Sequence, residues 1–147
     1  MISFDIGSNY GYVLLAATST FVINTIHSFN TGSYRRAAGI EYPAAYAPSS
    51  RTDQAAHRFN SAQRAHANFI ENQPTVLGAM LIAGFKFPLA TASLGGLWSL
   101  FRLIYMWGYS QGQPGGKGRY KGIAFFLFQY GLIGLAGYTS ISMILGS

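Results

Sequence analysis

The residues best equipped for chemistry crowd into one segment, Arg58 to Pro74. Within it Arg64, Asn68 and Glu71 recur at i, i+4 and i+7, which stacks a guanidinium, a carboxamide and a carboxylate along one helical face. Such a set suits a zwitterionic peptide ligand: arginine to a carboxylate, asparagine to an amide, glutamate to an ammonium. The same three groups could equally satisfy one another, as buried polar residues commonly do. A second set, Arg102, Tyr105 and Tyr109, shares a face at i, i+3 and i+7. Its tyrosines also suit an aromatic belt at a membrane interface. Basic residues form the third set: Arg35 and Arg36 before one loop, and Lys117, Arg119 and Lys121 around another. Basic residues at span ends commonly fix topology and meet lipid headgroups. His27, His57 and His66 show no metal-ligand spacing, and no metal site is expected. The chain contains no cysteine, so any thiol chemistry needs a sulfur supplied by a substrate.

The elements that must carry these residues follow from charge and hydropathy. Half of the 147 residues are hydrophobic and only 10% are charged, against roughly 25% in soluble domains. Mean hydropathy is +0.21. This excludes a disordered chain and argues against an ordinary soluble globule. The net charge of +6 sits on scattered residues between apolar stretches, the pattern of polar loops in a membrane protein rather than of a nucleic-acid surface. No charged residue occurs from residue 6 to 34 or from 122 to 147, and each stretch exceeds the roughly 20 residues that cross a hydrocarbon core. The runs 72–85, 87–101 and 103–116 are too short to cross alone. They become spans if two longer helices turn a few polar residues away from lipid, with a bend near Pro74 and a start near Pro88.

The expectation is one all-α integral membrane domain over residues 1–147, a four-helix bundle with spans at about 10–33, 56–85, 88–110 and 120–145. The first and third connections carry most of the basic residues, which places both in the cytosol. The N-terminus, Met1 to Asp5, has no basic region, so the first span is expected to be an uncleaved anchor. Residues 40–53 and 111–118 read as loops from their proline, serine and glycine content. The Gly112–Lys117 run lacks the spacing and the preceding strand of a phosphate loop.

The run from Phe59 to Pro74, containing R-A-x-x-N-x-x-E, resembles the second-helix signature of the MAPEG family, membrane-associated proteins in eicosanoid and glutathione metabolism. Tyr34 to Pro43 is similar to the end of that family's first helix, and Arg102 to Tyr109 to its R-x-x-Y-x-x-G-Y third-helix motif. The resemblance implies a left-handed four-helix membrane bundle assembled as a homotrimer, with glutathione at subunit interfaces near the cytosolic side. It implies that Arg64, Asn68, Glu71, Tyr105 and Tyr109 bind glutathione, with Arg35 and His66 approaching from the neighbouring subunit. Arg119, or Lys117 across the glycine-rich segment, would stabilise the glutathione thiolate, with Arg36 assisting at the other reacting end. Glutathione would serve as co-substrate, with no further cofactor. The implied activity is conjugation of glutathione to lipophilic electrophiles, and glutathione-dependent reduction of lipid hydroperoxides. The implied setting is the endoplasmic reticulum or the mitochondrial outer membrane. Two other readings stay open: a non-catalytic lipid-binding scaffold of the same fold, and a small channel or transporter subunit using Arg64, Glu71 and Arg102.

Overall fold

The computed structural model describes residues 7–146. Met1 to Asp5, on which the reading of an uncleaved first span rests, lie outside the described residues. Four long helices follow in order: α1 (Tyr10–Ala38), α2 (Gln54–Ala83), α3 (Pro88–Tyr109) and α4 (Phe125–Leu145). A 3-10 segment, Pro114–Gly122, joins α3 to α4. No strand occurs among the described residues. Helix α1 packs on α2 and α3, and α4 packs on the same two, so α2 and α3 form the diagonal of the bundle.

Local chemistry sets the helix ends. Gly39 closes α1 in the left-handed region, at φ +62°, and its N–H returns to the carbonyls of Arg35 and Arg36. A glycine holds that conformation without the strain a Cβ would bring. Arg35 and Arg36 in the last turn complement the negative end of the helix dipole. Asp53 caps α2, its carboxylate accepting from the Ala56 N–H at 3.1 Å. Pro88 opens α3, where its missing N–H leaves no helical bond unmade. Helix α2 continues through Pro74 as one element, although the proline cannot supply the usual donor to the Ile70 carbonyl.

The interior is made of small residues near the helix crossings and of aromatic rings. Val13, Phe69, Val76, Met80, Trp98 and Leu132 are fully buried. Gly95 of α3 lies so close to Met80 and Ala16 that a Cβ there would collide with both. Polar side chains join the helices across this core. The Trp98 indole N–H donates to Gln129 (3.2 Å), Gln129 donates to Asn72 (2.9 Å), and Gln73 donates to Thr20 (3.1 Å). The Ser19 and Ser99 hydroxyls lie 2.8 Å apart. In an apolar solvent such bonds hold helices in register, because lipid offers the groups no alternative.

Among the described residues three helices, α1, α3 and α4, are long and apolar enough to cross a membrane. Helix α2 is long enough but carries Arg58, Arg64 and Glu71 among several asparagines and glutamines, and falls short on hydropathy.

The loop between α1 and α2 is tied down along its length. Arg35 donates to the Ala44 carbonyl (2.7 Å), and Asn60 of α2 accepts from the Ala47 N–H (2.8 Å). Arg51 reaches the Ala38 carbonyl at the end of α1 and pairs with Asp53 at the start of α2. One arginine thereby bridges the end of one helix and the cap of the next. The Arg51 guanidinium, with the Ala56 N–H, holds the Asp53 carboxyl well below the ordinary carboxylate range. A depressed carboxyl contributes stability above its unfolded value and loses it as pH falls toward the folded one. Asp53→Asn keeps the cap and removes the charge. Its thermal midpoint is expected to lie below wild type at neutral pH, and the gap should close as pH drops below about 4. Thermal unfolding in detergent across that range checks this; a pH-independent gap would refute the ion-pair account.

Candidate functional site

Helix α2 presents Arg64, Asn68 and Glu71 on one strip, as their spacing requires. Arg64 and Glu71 form a bidentate ion pair, with N–O distances of 2.7 and 3.2 Å. Their side chains are 47% and 52% exposed, so the pair lies open on the outer surface of the bundle. It does not stitch two helices together, since both partners belong to α2.

Asn68 lies between them and faces inward with its oxygen. Its Oδ1 accepts from Arg102 Nη1 at 2.8 Å, across to α3. With the oxygen engaged, the Asn68 amide nitrogen is the group left for an outside partner, and it is a donor. Arg102 itself is fully buried. Its guanidinium carbon lies 4.2 Å from the ring centroid of Phe125, 4.8 Å from Tyr105, 5.4 Å from Phe69 and 5.6 Å from Trp98. Four π faces surround a cation that makes one side-chain hydrogen bond, while its Nε and Nη2 have none. The indole of Trp98 then continues through Gln129 and Asn72, whose Nδ2 returns to the Asn68 carbonyl (2.8 Å). Arg102 thus orients the Asn68 side chain from behind, while Trp98, Gln129 and Asn72 tie the same stretch of α2 to α3 and α4 through the Asn68 main-chain carbonyl.

Tyr105 is buried and Tyr109 half-buried, their rings meeting edge to face at 5.5 Å. Tyr109 lies beside Arg119. Arg119 Nη2 donates to the Tyr120 hydroxyl at 3.2 Å, and the phenols of Tyr120 and Tyr109 hold its proton more firmly than usual. Its charge is fixed at any physiological pH. Tyr109 also lines a polar cavity of about 520 Å³ with His57, Asn60, Ser61 and the Gly112–Gly116 run. A larger apolar groove, about 1140 Å³, runs between α1 and α3 and contains none of these charged residues.

The remaining candidates lie elsewhere in the fold. Arg35 is buried, with its guanidinium 4.3 Å from the Tyr42 ring and 4.7 Å from the Phe59 ring. His66 bonds Asn24 at 3.0 Å and stacks on His27, both residues of α1. Arg36 and Lys117 are exposed. Sequence spacing pointed to Arg102 and Asn68 separately but not to their bond. It gave no role to Asn72, Gln129 or Trp98. The available signal was two amide side chains, at 72 and 129, in otherwise uncharged apolar runs.

This architecture defines a helical integral membrane protein whose polar residues are gathered on α2 and α3 beside a basic, glycine-rich connection. The match is to the MAPEG family, over residues 13–139, and the chain belongs to that family. The family includes glutathione transferases and related membrane enzymes.

The two polar contacts of the strip should differ in energetic weight. Asn68→Leu strips from a buried guanidinium the one side-chain hydrogen bond it makes among the described residues, a loss of about 1.5–3 kcal/mol. Glu71→Gln breaks an open pair, where about 0–1 kcal/mol is expected. Thermal midpoints in one detergent should therefore fall clearly for Asn68→Leu and little for Glu71→Gln. The reverse order would contradict the assignment of Arg102 to Asn68.

Proposed function

We propose that this chain is a membrane glutathione transferase of the microsomal glutathione S-transferase 3 type, working as a homotrimer of four-span subunits. Gln63–Arg64–Ala65–His66, Glu41–Tyr42–Pro43 and the Gly112-x-Pro114 pattern support that type. The reading includes glutathione-dependent reduction of lipid hydroperoxides, a site open to the cytosol, and residence in the endoplasmic reticulum. Glutathione is the co-substrate, and no other cofactor is invoked.

One observation carries the proposal: an open Arg64–Glu71 pair with Asn68 between its members, on a helix packed against apolar α1 and α4. If α2 shares the slab that its neighbours cross, charged groups half-exposed there need a cover other than lipid. A second subunit and a zwitterionic ligand supply that cover together. Glutathione brings carboxylates for Arg64, an ammonium for Glu71 and peptide carbonyls for the Asn68 amide nitrogen. Binding replaces one ion pair by two, and an exposed pair is cheap to open. Tyr105 and Tyr109 flank the peptide, and Arg35 and His66 are assigned to the approach from the neighbouring subunit.

The chemistry requires a thiolate, since the neutral thiol is a poor nucleophile and a free thiol titrates near about 8.5. Arg119, permanently charged beside Tyr109, favours ionisation of the glutathione sulfur. The thiolate then attacks an electrophilic carbon of a bilayer-dissolved substrate; the C–S bond forms as the leaving group departs or the adduct takes up a proton. With a hydroperoxide, the thiolate attacks the terminal oxygen and the O–O bond breaks, giving an alcohol and a sulfenic acid. A second glutathione converts that acid to the disulfide and water. Arg36, at the end of α1, is assigned to the departing or accepting group.

Titration of purified protein with glutathione, and conjugation of a lipophilic electrophile, test the reading. Arg64→Ala should weaken glutathione binding by about tenfold or more, the loss of a charge-assisted hydrogen bond, while the variant stays folded. Unchanged affinity would remove the ligand role of the strip. Arg35→Ala and Arg64→Ala subunits, each inactive alone, should regain activity when mixed, since one interface of a mixed trimer then holds both residues. Mixed trimers without activity would exclude a shared site.

A further inference from the structure

The connection that carries Arg119 is held to α3 by backbone packed on backbone. Gly108 and Gly118 face each other so closely that a Cβ on either would overlap the main chain of the other. One turn away, Gly122 meets the backbone of Tyr105 and the Phe101 carbonyl in the same way. Arg119 lies between these two contacts, Gly118 on one side and Gly122 on the other. Two side-chain contacts brace the joint: Lys121 Nζ lies 4.6 Å from the Trp107 ring centroid, and Gly116 packs against Tyr109 and the Arg119 guanidinium. Gly118 itself does not occupy the left-handed region, in contrast to Gly112, Gly115 and Gly116. Its backbone would accept a side chain, and only the neighbouring helix forbids one. Gly108 lies inside α3, where alanine is the better helix former by about 1 kcal/mol. A substitution there would favour the helix and spoil only the joint.

We propose that Gly108 and Gly118 are positioning residues for Arg119, fixing its guanidinium beside Tyr109 at the reacting end of the site. The proposal rests on the reading of Arg119 as the cation that stabilises the glutathione thiolate. Charge attraction varies inversely with separation, so a segment lifted by one methyl group moves the cation away from the sulfur and weakens its hold on the anion. Arg64, Asn68 and Glu71 belong to α2 and keep their grip on the peptide. Of the residues that hold the peptide, Tyr105 and Tyr109 touch the joint and the α2 strip does not, so the joint acts on reactivity more than on binding.

The experiment compares Gly118→Ala, Gly108→Ala and Arg119→Leu in the purified trimer. The readouts are the ultraviolet absorbance of the bound thiolate against pH, glutathione affinity, kcat and KM. Both alanine variants should bind glutathione within about twofold of wild type, while the bound thiol titrates about one unit higher, roughly a tenfold loss of thiolate at a given pH below that value. Turnover should fall in parallel and KM for glutathione should hold. A merely structural joint would instead lower affinity and thermal midpoint together and leave the titration where it was. If Gly118→Ala does not assemble, Gly108→Ala tests the same contact from the helix side. A thiol titration shifted by Arg119→Leu but untouched by both alanine variants overturns the positioning role alone. A titration untouched by Arg119→Leu overturns the reading of Arg119 on which the proposal stands.

Discussion

The structure is arranged around one buried cation. Arg102 has no exposed surface, and its one side-chain hydrogen bond among the described residues goes to Asn68. A guanidinium removed from water needs compensation from its surroundings. Here it comes from four aromatic faces and one carboxamide oxygen. Much of the interior follows from that requirement. Phe69, Trp98, Tyr105 and Phe125 are drawn from α2, α3 and α4 to one point, and the aromatic contacts among them extend the core along the bundle. The same requirement reaches the outer face. Asn68 is an ordinary surface asparagine by position, yet its orientation is dictated from within.

Two kinds of polar interaction therefore coexist within a few residues of α2. The inner one is buried on the arginine side, neutral on the asparagine side and geometrically fixed. The outer one, Arg64 with Glu71, is charged on both sides, open and exchangeable. Between them they make a strip that is rigid at its centre and adaptable at its ends. That division suits recognition of an extended zwitterion, whose termini vary in position more than its peptide bonds do.

Much of the helical layout was legible in the chain. Long uncharged runs marked α1 and α4, Pro88 marked the start of α3, and i, i+4, i+7 spacing put Arg64, Asn68 and Glu71 on one face. Other features were not legible because they depend on distant residues meeting. Helix α1 extends to Ala38, beyond its apolar part, because Gly39 and the Arg35–Arg36 pair end it rather than loss of hydropathy. The approach to α4, expected to be helical from about residue 120, is a 3-10 segment up to Gly122: Gly118 and Gly122 bind that stretch to α3, and glycine content alone marked residues 111–118 only as a loop. The surroundings of Arg35 were equally hidden: a basic residue at a helix end read as a topology determinant, and only the folded loop shows Tyr42 and Phe59 against its guanidinium. In each case the sequence shows composition, and only the fold shows proximity.

Helix α4 is apolar almost all the way round, and a featureless apolar rod in lipid has little to tell it which way to face. Gln129 supplies the answer. It is held by the Trp98 indole on one side and the Asn72 amide on the other. Rotating α4 by a quarter turn, or sliding it by one residue, would swing that amide toward hydrocarbon with no partner. Together with Phe125 against Arg102, it keys the helix as a tooth keys a shaft. Its outward residues can drift among apolar types while its angular setting stays constant, and the wall it presents to the bilayer is free to change without disturbing the machinery behind it.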